Sequence, residues 1–312
     1  MQTPHIPVLL NEVLKSFDML DDGEFANGYF VDCTLGYAGH SKEMLKTYPH
    51  INHIGIDRDD EALEFSKNRL SQYSERSKLY KGTFATVFPT LEESPIVAVL
   101  ADFGVSSLQL DKKERGFSFN SDNLDMRMDA NAPLTAFDVV NGYSQEKLEY
   151  ILDNYGEVRL YKKLTSAIIE ARVAKPINSA KELSQIAKSV IPVGGKIHPA
   201  TLMFQGIRIE VNNELGEIEG LLDALEQNYT KGEVVSLISF HSLEDRLVKN
   251  RFKKWSNRCI CDSLAMRCTC SRDNALGKAL SSKPTIASKE ELRINPRSRS
   301  AKLRSFRFAK TK

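Results

Sequence analysis

YFVDCTLGYAG, residues 29–39, decides the fold. Residues 29–34 form an apolar run of the length of a buried strand, and Gly36-Tyr37-Ala38-Gly39 is a turn of mostly small residues leading into helical spacing over 41–48. HIGID at 53–57 reads as a second strand. Residues 59–73 return to helical spacing at Ala62, Phe65, Ser66, Arg69 and Leu70. A weak strand at 79–82 and a strong one, IVAVLAD at 96–102, follow. Alternation of buried strands with helices specifies an α/β protein with a doubly wound, mostly parallel sheet.

Beyond about Gln109 the pattern changes. Helical signals dominate from 134 to 229, with a capping box at Ser179-Ala180-Lys181-Glu182. Pro199 suits a first helical position and opens one long amphipathic stretch to about Asn228. The strand pattern returns with VVSLISF at 234–240, followed by a helix over 243–252. The expected organisation is an all-helical domain, 110–211, inserted into an α/β domain made of 1–109 and 212–312. Alternation over 301–308 predicts one more strand with a basic face.

A hydrophobic content of 41% with 27% charged residues suits a globular chain of 312 residues. No apolar run approaches the roughly 18 residues of a membrane span, and the first residues lack the basic flank of a signal peptide. A cytoplasmic protein without a membrane partner is expected. The net charge of +2 conceals an asymmetry: after Glu291 come Arg293, Arg297, Arg299, Lys302, Arg304, Arg307, Lys310 and Lys312 and no acid. Such a segment suits a phosphate backbone, though a solvated basic tail has the same composition. Of five cysteines, Cys33 stands alone, and Cys259, Cys261, Cys268 and Cys270 crowd into twelve residues. Their C-x-C pairs are tighter than common zinc spacings, which leaves structural zinc and inert or redox-labile thiols both open. No catalytic metal is expected.

The turn at 36–39 lets a ligand approach the backbone at the carboxyl end of the sheet. Its spacing is GxxG, without the GxGxxG of a pyrophosphate site. Asp57 ends the second strand 21 residues after Gly36, where a carboxylate can accept both hydroxyls of a ribose. A nucleoside cofactor without phosphates, S-adenosylmethionine, is the better fit; nicotinamide or flavin binding and a purely structural turn remain alternatives. Asp102 ends the fourth strand and is expected to reach the same crevice from the strand neighbouring that of Asp57.

At this point the chain resembles the bacterial small-subunit (16S) ribosomal RNA cytosine-N4 methyltransferases. The likeness is carried by His5-Ile6-Pro7-Val8-Leu9-Leu10-Asn11-Glu12, Asp32-Cys33-Thr34-Leu35-Gly36, Gly39-His40-Ser41, Ile56-Asp57-Arg58-Asp59 and DFGVSSLQLD at 102–111. It continues through Glu114-Arg115-Gly116-Phe117-Ser118-Phe119, Leu124-Asp125-Met126-Arg127-Met128-Asp129 and His198-Pro199-Ala200-Thr201. SFHSLEDR at 239–246 and NPRSRS at 295–300 complete an ordered set spanning nearly the whole chain.

The resemblance implies a Rossmann-like class I methyltransferase fold and S-adenosylmethionine as cofactor. It implies methylation of the exocyclic amine of one cytosine in the decoding region, on 16S ribosomal RNA alone or within the small subunit. It also implies cofactor contacts at Ala38, Gly39, His40, Asp57, Phe84, Asp102 and Gln109. Two positions depart from the family pattern: Tyr37-Ala38 supplies less glycine than usual, and Leu202 stands where an Arg is usual. Neither removes a carboxylate.

A cytosine amine is a poor nucleophile, so it must be oriented, offered a proton acceptor and shielded from water. The Pro-Pro-aromatic loop of many amino-methyltransferases is absent, which disfavours a DNA amine methyltransferase. A backbone carbonyl, Asp102 or His241 remains as acceptor, and no catalytic base is assigned. A noncatalytic RNA-binding protein would not need Asp57, the turn and Asp102 together. The Arg127 block and residues 295–300 are candidate RNA contacts. A homodimer is left open.

Overall fold

Among the described residues eight strands form one sheet: β1 Tyr29–Asp32, β2 Asn52–Asp57, β3 Ser77–Lys81, β4 Ile96–Asp102, β5 Val234–Ser239, β6 Gly277–Ala279, β7 Thr285–Ile286 and β8 Lys302–Phe308. The order is β3-β2-β1-β4-β5-β8-β6, with β7 also pairing β8. The first five strands are parallel, and β8 runs antiparallel between β5 and β6. This is the doubly wound, mostly parallel sheet expected from the sequence. The computed structural model describes residues 6–21, 25, 27–192, 198–261 and 267–309; His5, Lys310 and Lys312 lie outside them.

The chain divides into two compact units, Met1–Gly104 with Glu217–Lys312, and Val105–Gly216. In the first, both faces of the sheet are covered. One face packs Val31, Ile54, Val99 and Val235 with Leu221, Leu225, Phe252 and Trp255. The other packs Phe30, Ala98, Leu100 and Val234 with Val13, Phe17, Met44 and Tyr48. Buried on both faces, β4 is apolar throughout its interior and β5 is broken only by Ser236, whose hydroxyl is bonded to those of Ser16 and Ser305, which explains runs without alternation. In contrast, β8 alternates, burying Leu303, Phe306 and Phe308 while Lys302, Arg304 and Arg307 are half-exposed. Trp255 lies 5.2 Å from both Phe306 and Phe308, so the last strand is pinned by aromatic packing.

The second unit holds its own core, including Val139, Leu152, Leu164, Ile168, Leu183, Met203 and Ile207. Ser179 Oγ accepts the Glu182 N–H at 3.1 Å and the Glu182 carboxylate accepts the Ser179 N–H, which closes the expected capping box at the start of the helix Ala180–Val190. The expected single helix to Asn228 is instead two, Thr201–Asn212 and Glu214–Asn228. Asn213 caps the first in the left-handed conformation (φ 49°), which ends the hydrogen-bond ladder although the apolar spacing runs on. Pro199 lies in the turn before the N-cap Ala200, not at the first helical position. Among the described residues no helix is long and apolar enough to cross a membrane.

Candidate active site

In a sheet ordered 3-2-1-4-5, the chain leaves β1 toward one edge and enters β4 toward the other. The crevice outside the carboxyl ends of β1 and β4 is therefore the switch point at which open α/β sheets bind ligands. The last residues of β2, β1 and β4 are Asp57, Asp32 and Asp102. The strands of Asp57 and Asp102 are not neighbours, as the strand-by-strand reading assumed, because β1 lies between them. Three carboxylates thus stand at three successive strand ends, and the middle one was missed.

The turn after β1 is braced on every side. Gly36, at φ +50°, donates its N–H to Asp57 Oδ2 at 2.7 Å, and its carbonyl accepts from Ser66 Oγ at 2.7 Å. Arg69 Nη1 holds the Tyr37 carbonyl at 3.1 Å, and the Tyr37 ring meets Phe65 edge-on at 4.8 Å. The helical face at Phe65, Ser66 and Arg69 thus holds the loop. Ala38, buried and left-handed at φ 53°, is the N-cap of the helix Gly39–Thr47. A side chain at Gly39 would come within 2.7 Å of Pro7 Cγ, so glycine lets the N-terminal segment pack on the turn. Among the described residues no side chain caps this helix. The first N–H groups of an uncapped helix carry the positive end of its dipole.

Asp57 Oδ1 also accepts the Asp59 N–H at 2.9 Å. Burial raises the Asp57 carboxyl above its ordinary range, against these two N–H bonds. Asp32 is held by Ser41 Oγ at 2.6 Å and the Thr34 N–H at 3.2 Å, and burial pushes it up to about 6. Ser41 Oγ in turn lies 2.9 Å from His53 Nε2, and His53 Nδ1 lies 2.8 Å from Ser77 Oγ. Burial first, and Arg76 second, push that imidazole down to about 3, so it stays neutral. No spacing in the sequence signals this network, because its members meet only through strand pairing and the packing of the helix Gly39–Thr47 on the sheet.

Asp102 donates its N–H to Thr34 Oγ1 at 2.6 Å, but its buried Oδ1 has no hydrogen-bond partner among the described residues. Burial, then the charges of Asp32 and Glu244, hold its carboxyl well above the usual range. An orphaned buried oxygen among other acids is costly when ionised and is relieved by a cation. The residues therefore fit a ligand that brings positive charge to the end of β4 and hydroxyls to Asp57.

The other expected contacts are placed differently. The His40 ring is buried with Nε2 2.8 Å from the Val8 carbonyl and is pushed down to about 4 by burial. Its backbone N–H, rather than its ring, belongs to the helix start. Phe84 opens the short helix Phe84–Val87 after β3, within the core and 6.0 Å from the Phe103 ring. Gln109 lies in the second unit, where its Oε1 accepts the Ser106 N–H at 3.0 Å.

His241 is the N-cap of the helix Ser242–Ser256, with Nε2 3.1 Å from Glu244 Oε1. Glu244 Oε2 accepts the N–H groups of Phe240 and His241 at 2.7 and 3.2 Å. A cleft of about 320 Å³ beside His241 is lined by Phe240, Ser242, Leu292, Arg299 and Lys302 among others. Two expected RNA-contacting blocks have internal work. Arg127 binds Asp125 at 2.7 Å and the Ala132 carbonyl at 2.7 Å, which holds its own loop. Asn295 is buried and donates to the Ile6 carbonyl at 3.1 Å, while Ser298 donates to Glu291 at 2.6 Å; Arg297 and Arg299 are exposed. On β8, Asp245 binds Lys302 at 3.1 Å and Arg304 at 2.7 Å, so one carboxylate offsets part of that basic face.

Compared with known proteins, residues 2–309 match the model of the MraW methylase family. The ribosomal RNA small subunit methyltransferase H of a Sulfurovum species is 74% identical over 308 residues, covering 99% of each chain. The protein of the same name from a Nitratiruptor species is 54% identical over 309 residues, again covering 99% of each. A solved rRNA methylase from Streptococcus thermophilus aligns over 95% of each chain at 11% identity, with a TM-score of 0.40.

Proposed function

The chain belongs to the MraW methylase family, and from that premise we propose that it methylates the exocyclic N4 amine of a cytosine in the decoding region of 16S ribosomal RNA, in the cytoplasm. S-adenosylmethionine, when bound, supplies a methyl group activated by a positively charged sulfur. The observation that carries the reading is Asp102: a buried carboxylate with an unpartnered oxygen at the switch point of the sheet, beside Asp32.

In this reading Asp57 keeps its two backbone N–H bonds and accepts the ribose hydroxyls on its remaining lone pairs. The uncapped N–H groups of Gly39 and His40 bind the amino-acid carboxylate of the cofactor. Ala38 lets the ligand approach the turn, and Phe84 packs against the adenine. Asp102 would be held ionised by a cationic cofactor and would stabilise its positive charge near the reacting centre. The part of Gln109 rests on the resemblance alone.

The target base must leave its stack to reach the methyl group, and the helical unit is the expected partner for the surrounding RNA. Arg299 at the rim of the cleft is available to a phosphate. Proton removal from the amine is assigned to no side chain. The test uses the full chain, isotope-labelled cofactor and small-subunit RNA from cells lacking the protein, presented both naked and as assembled subunits. N4-methylcytidine in the digested RNA is the expected product. Label confined to DNA, or to another base or atom, would overturn the reading.

A further inference from the structure

The segment between the helix Ser242–Ser256 and β6 takes no part in the site above. It is closed at its base, where the Leu276 N–H reaches the Trp255 carbonyl at 2.8 Å and the Asn274 N–H reaches the Arg258 carbonyl at 3.2 Å. At its tip four cysteines converge. The Sγ atoms of Cys259 and Cys268 are 3.6 Å apart, those of Cys261 and Cys268 3.9 Å, those of Cys268 and Cys270 3.6 Å, and those of Cys270 and Cys259 3.6 Å. All four lie within 4.8 Å of one another.

A zinc ion with four thiolates at about 2.3 Å has sulfur–sulfur edges of about 3.8 Å. The four separations above match those edges and are far too long for disulfides, whose sulfurs are about 2.05 Å apart. Two further observations point the same way. The backbone N–H groups of Thr269 and Cys270 both aim at Cys261 Sγ, at 3.3 and 3.4 Å. Such N–H···S bonds orient and stabilise a metal-bound thiolate. Among the described residues of the tip, Ile260, between the first pair, is 70% exposed and joins no apolar core.

We propose that Cys259, Cys261, Cys268 and Cys270 form a closed, structural zinc(II) site that orders this segment. Four thiols bind as thiolates and release four protons to solvent. The site's formal charge of −2 is partly offset by Arg258, Arg267 and Arg272, which outnumber Asp262 and Asp273 in the same segment. With four protein ligands the ion has no open position, so it takes no part in methyl transfer.

The test is elemental analysis of the full-length protein, purified under reducing conditions without chelator. About one zinc per chain is expected, falling at least fivefold in Cys261→Ser and Cys268→Ser. Cofactor binding, read by calorimetry on the same samples, should stay within about twofold, because the site lies apart from the cofactor crevice. Should a variant fail to fold, the wild-type chain still decides the matter. After zinc removal, cobalt(II) should restore one equivalent with thiolate-to-cobalt charge-transfer absorption, and the four thiols should resist a thiol reagent until a chelator is added. Less than about 0.2 zinc per chain with four freely titratable thiols, or two disulfides in their place, overturns the proposal.

Discussion

Asp57 and Asp102 end parallel strands on either side of β1, yet the two carboxylates are held in different ways. Asp57 carries two backbone N–H bonds and so serves both as a brace for the Gly36 turn and as a hydroxyl acceptor. Asp57→Ala is expected to weaken cofactor binding by about 2–4 kcal/mol, as two hydroxyl bonds are lost and the N–H groups of Gly36 and Asp59 lose their acceptor. Calorimetry on a folded variant with unchanged affinity would contradict it. Asp102 has an orphaned oxygen, and burial favours its neutral form. A cation binds better to the ionised form, so cofactor affinity should fall as pH drops through that raised value. The sign follows from linkage: protons and cation compete for one carboxylate. Asp102→Asn should bind more weakly and lose this pH dependence; an identical pH profile in the variant counts against the role. Both residues were visible in the sequence as strand-end acids. The Asp32–Ser41–His53–Ser77 chain was not, because each bond joins different elements.

At the scale of elements, local signals with a local cause were legible. Ser179 and Glu182 are three residues apart, and reciprocal bonding within one turn needs nothing from elsewhere. Ser179→Ala should cost about 1 kcal/mol of stability, seen as a lower urea midpoint with an unchanged slope. No change in midpoint would mean that the tertiary contacts of Ala180, Leu183 and Ala187 alone set this helix start. The strands were legible for a similar reason, since burial on two faces requires uninterrupted apolar runs. The break at Asn213 was not. Periodicity reports which face is apolar, and a single left-handed residue changes the direction of the chain without changing that composition.

The molecule as a whole carries a pH-sensitive element that no motif announces. Glu233 precedes β5, fully buried, with its Oε2 accepting the Thr230 N–H at 2.8 Å and its Oε1 without a partner. Burial, only partly offset by that N–H, pushes its carboxyl up to about 8. The folded state therefore binds a proton that the unfolded chain releases at the ordinary carboxylate range. The stability tied to that proton is complete below about pH 4.5 and is lost as pH rises toward 8. Glu233→Gln keeps the acceptor and cannot ionise, so it should be more stable than the parent chain above pH 8 by about 1–3 kcal/mol. Thermal melts across pH 5–9 with parallel curves for both proteins would exclude this. The proposed RNA reading makes a matching demand on the surface: Arg297→Ala with Arg299→Ala should lower the salt slope of RNA binding by about 1–2 and leave cofactor affinity intact.

By itself the sequence determined what depends on neighbours along the chain. That covers the strand and helix alternation, the GxxG turn, the acids at strand ends, the capping box and the pairing of cysteines as C-x-C. Tertiary structure decided what depends on neighbours across the sheet or loop. It set β1 between the strands of Asp57 and Asp102, turned the His40 ring onto Val8, and bound Arg304 to Asp245. It also brought four sulfurs into mutual contact. The reason is physical: periodicity and turn chemistry encode short-range preferences, whereas strand order, desolvation and the partner of a buried charge are properties of packed elements. They have no value until the chain has folded.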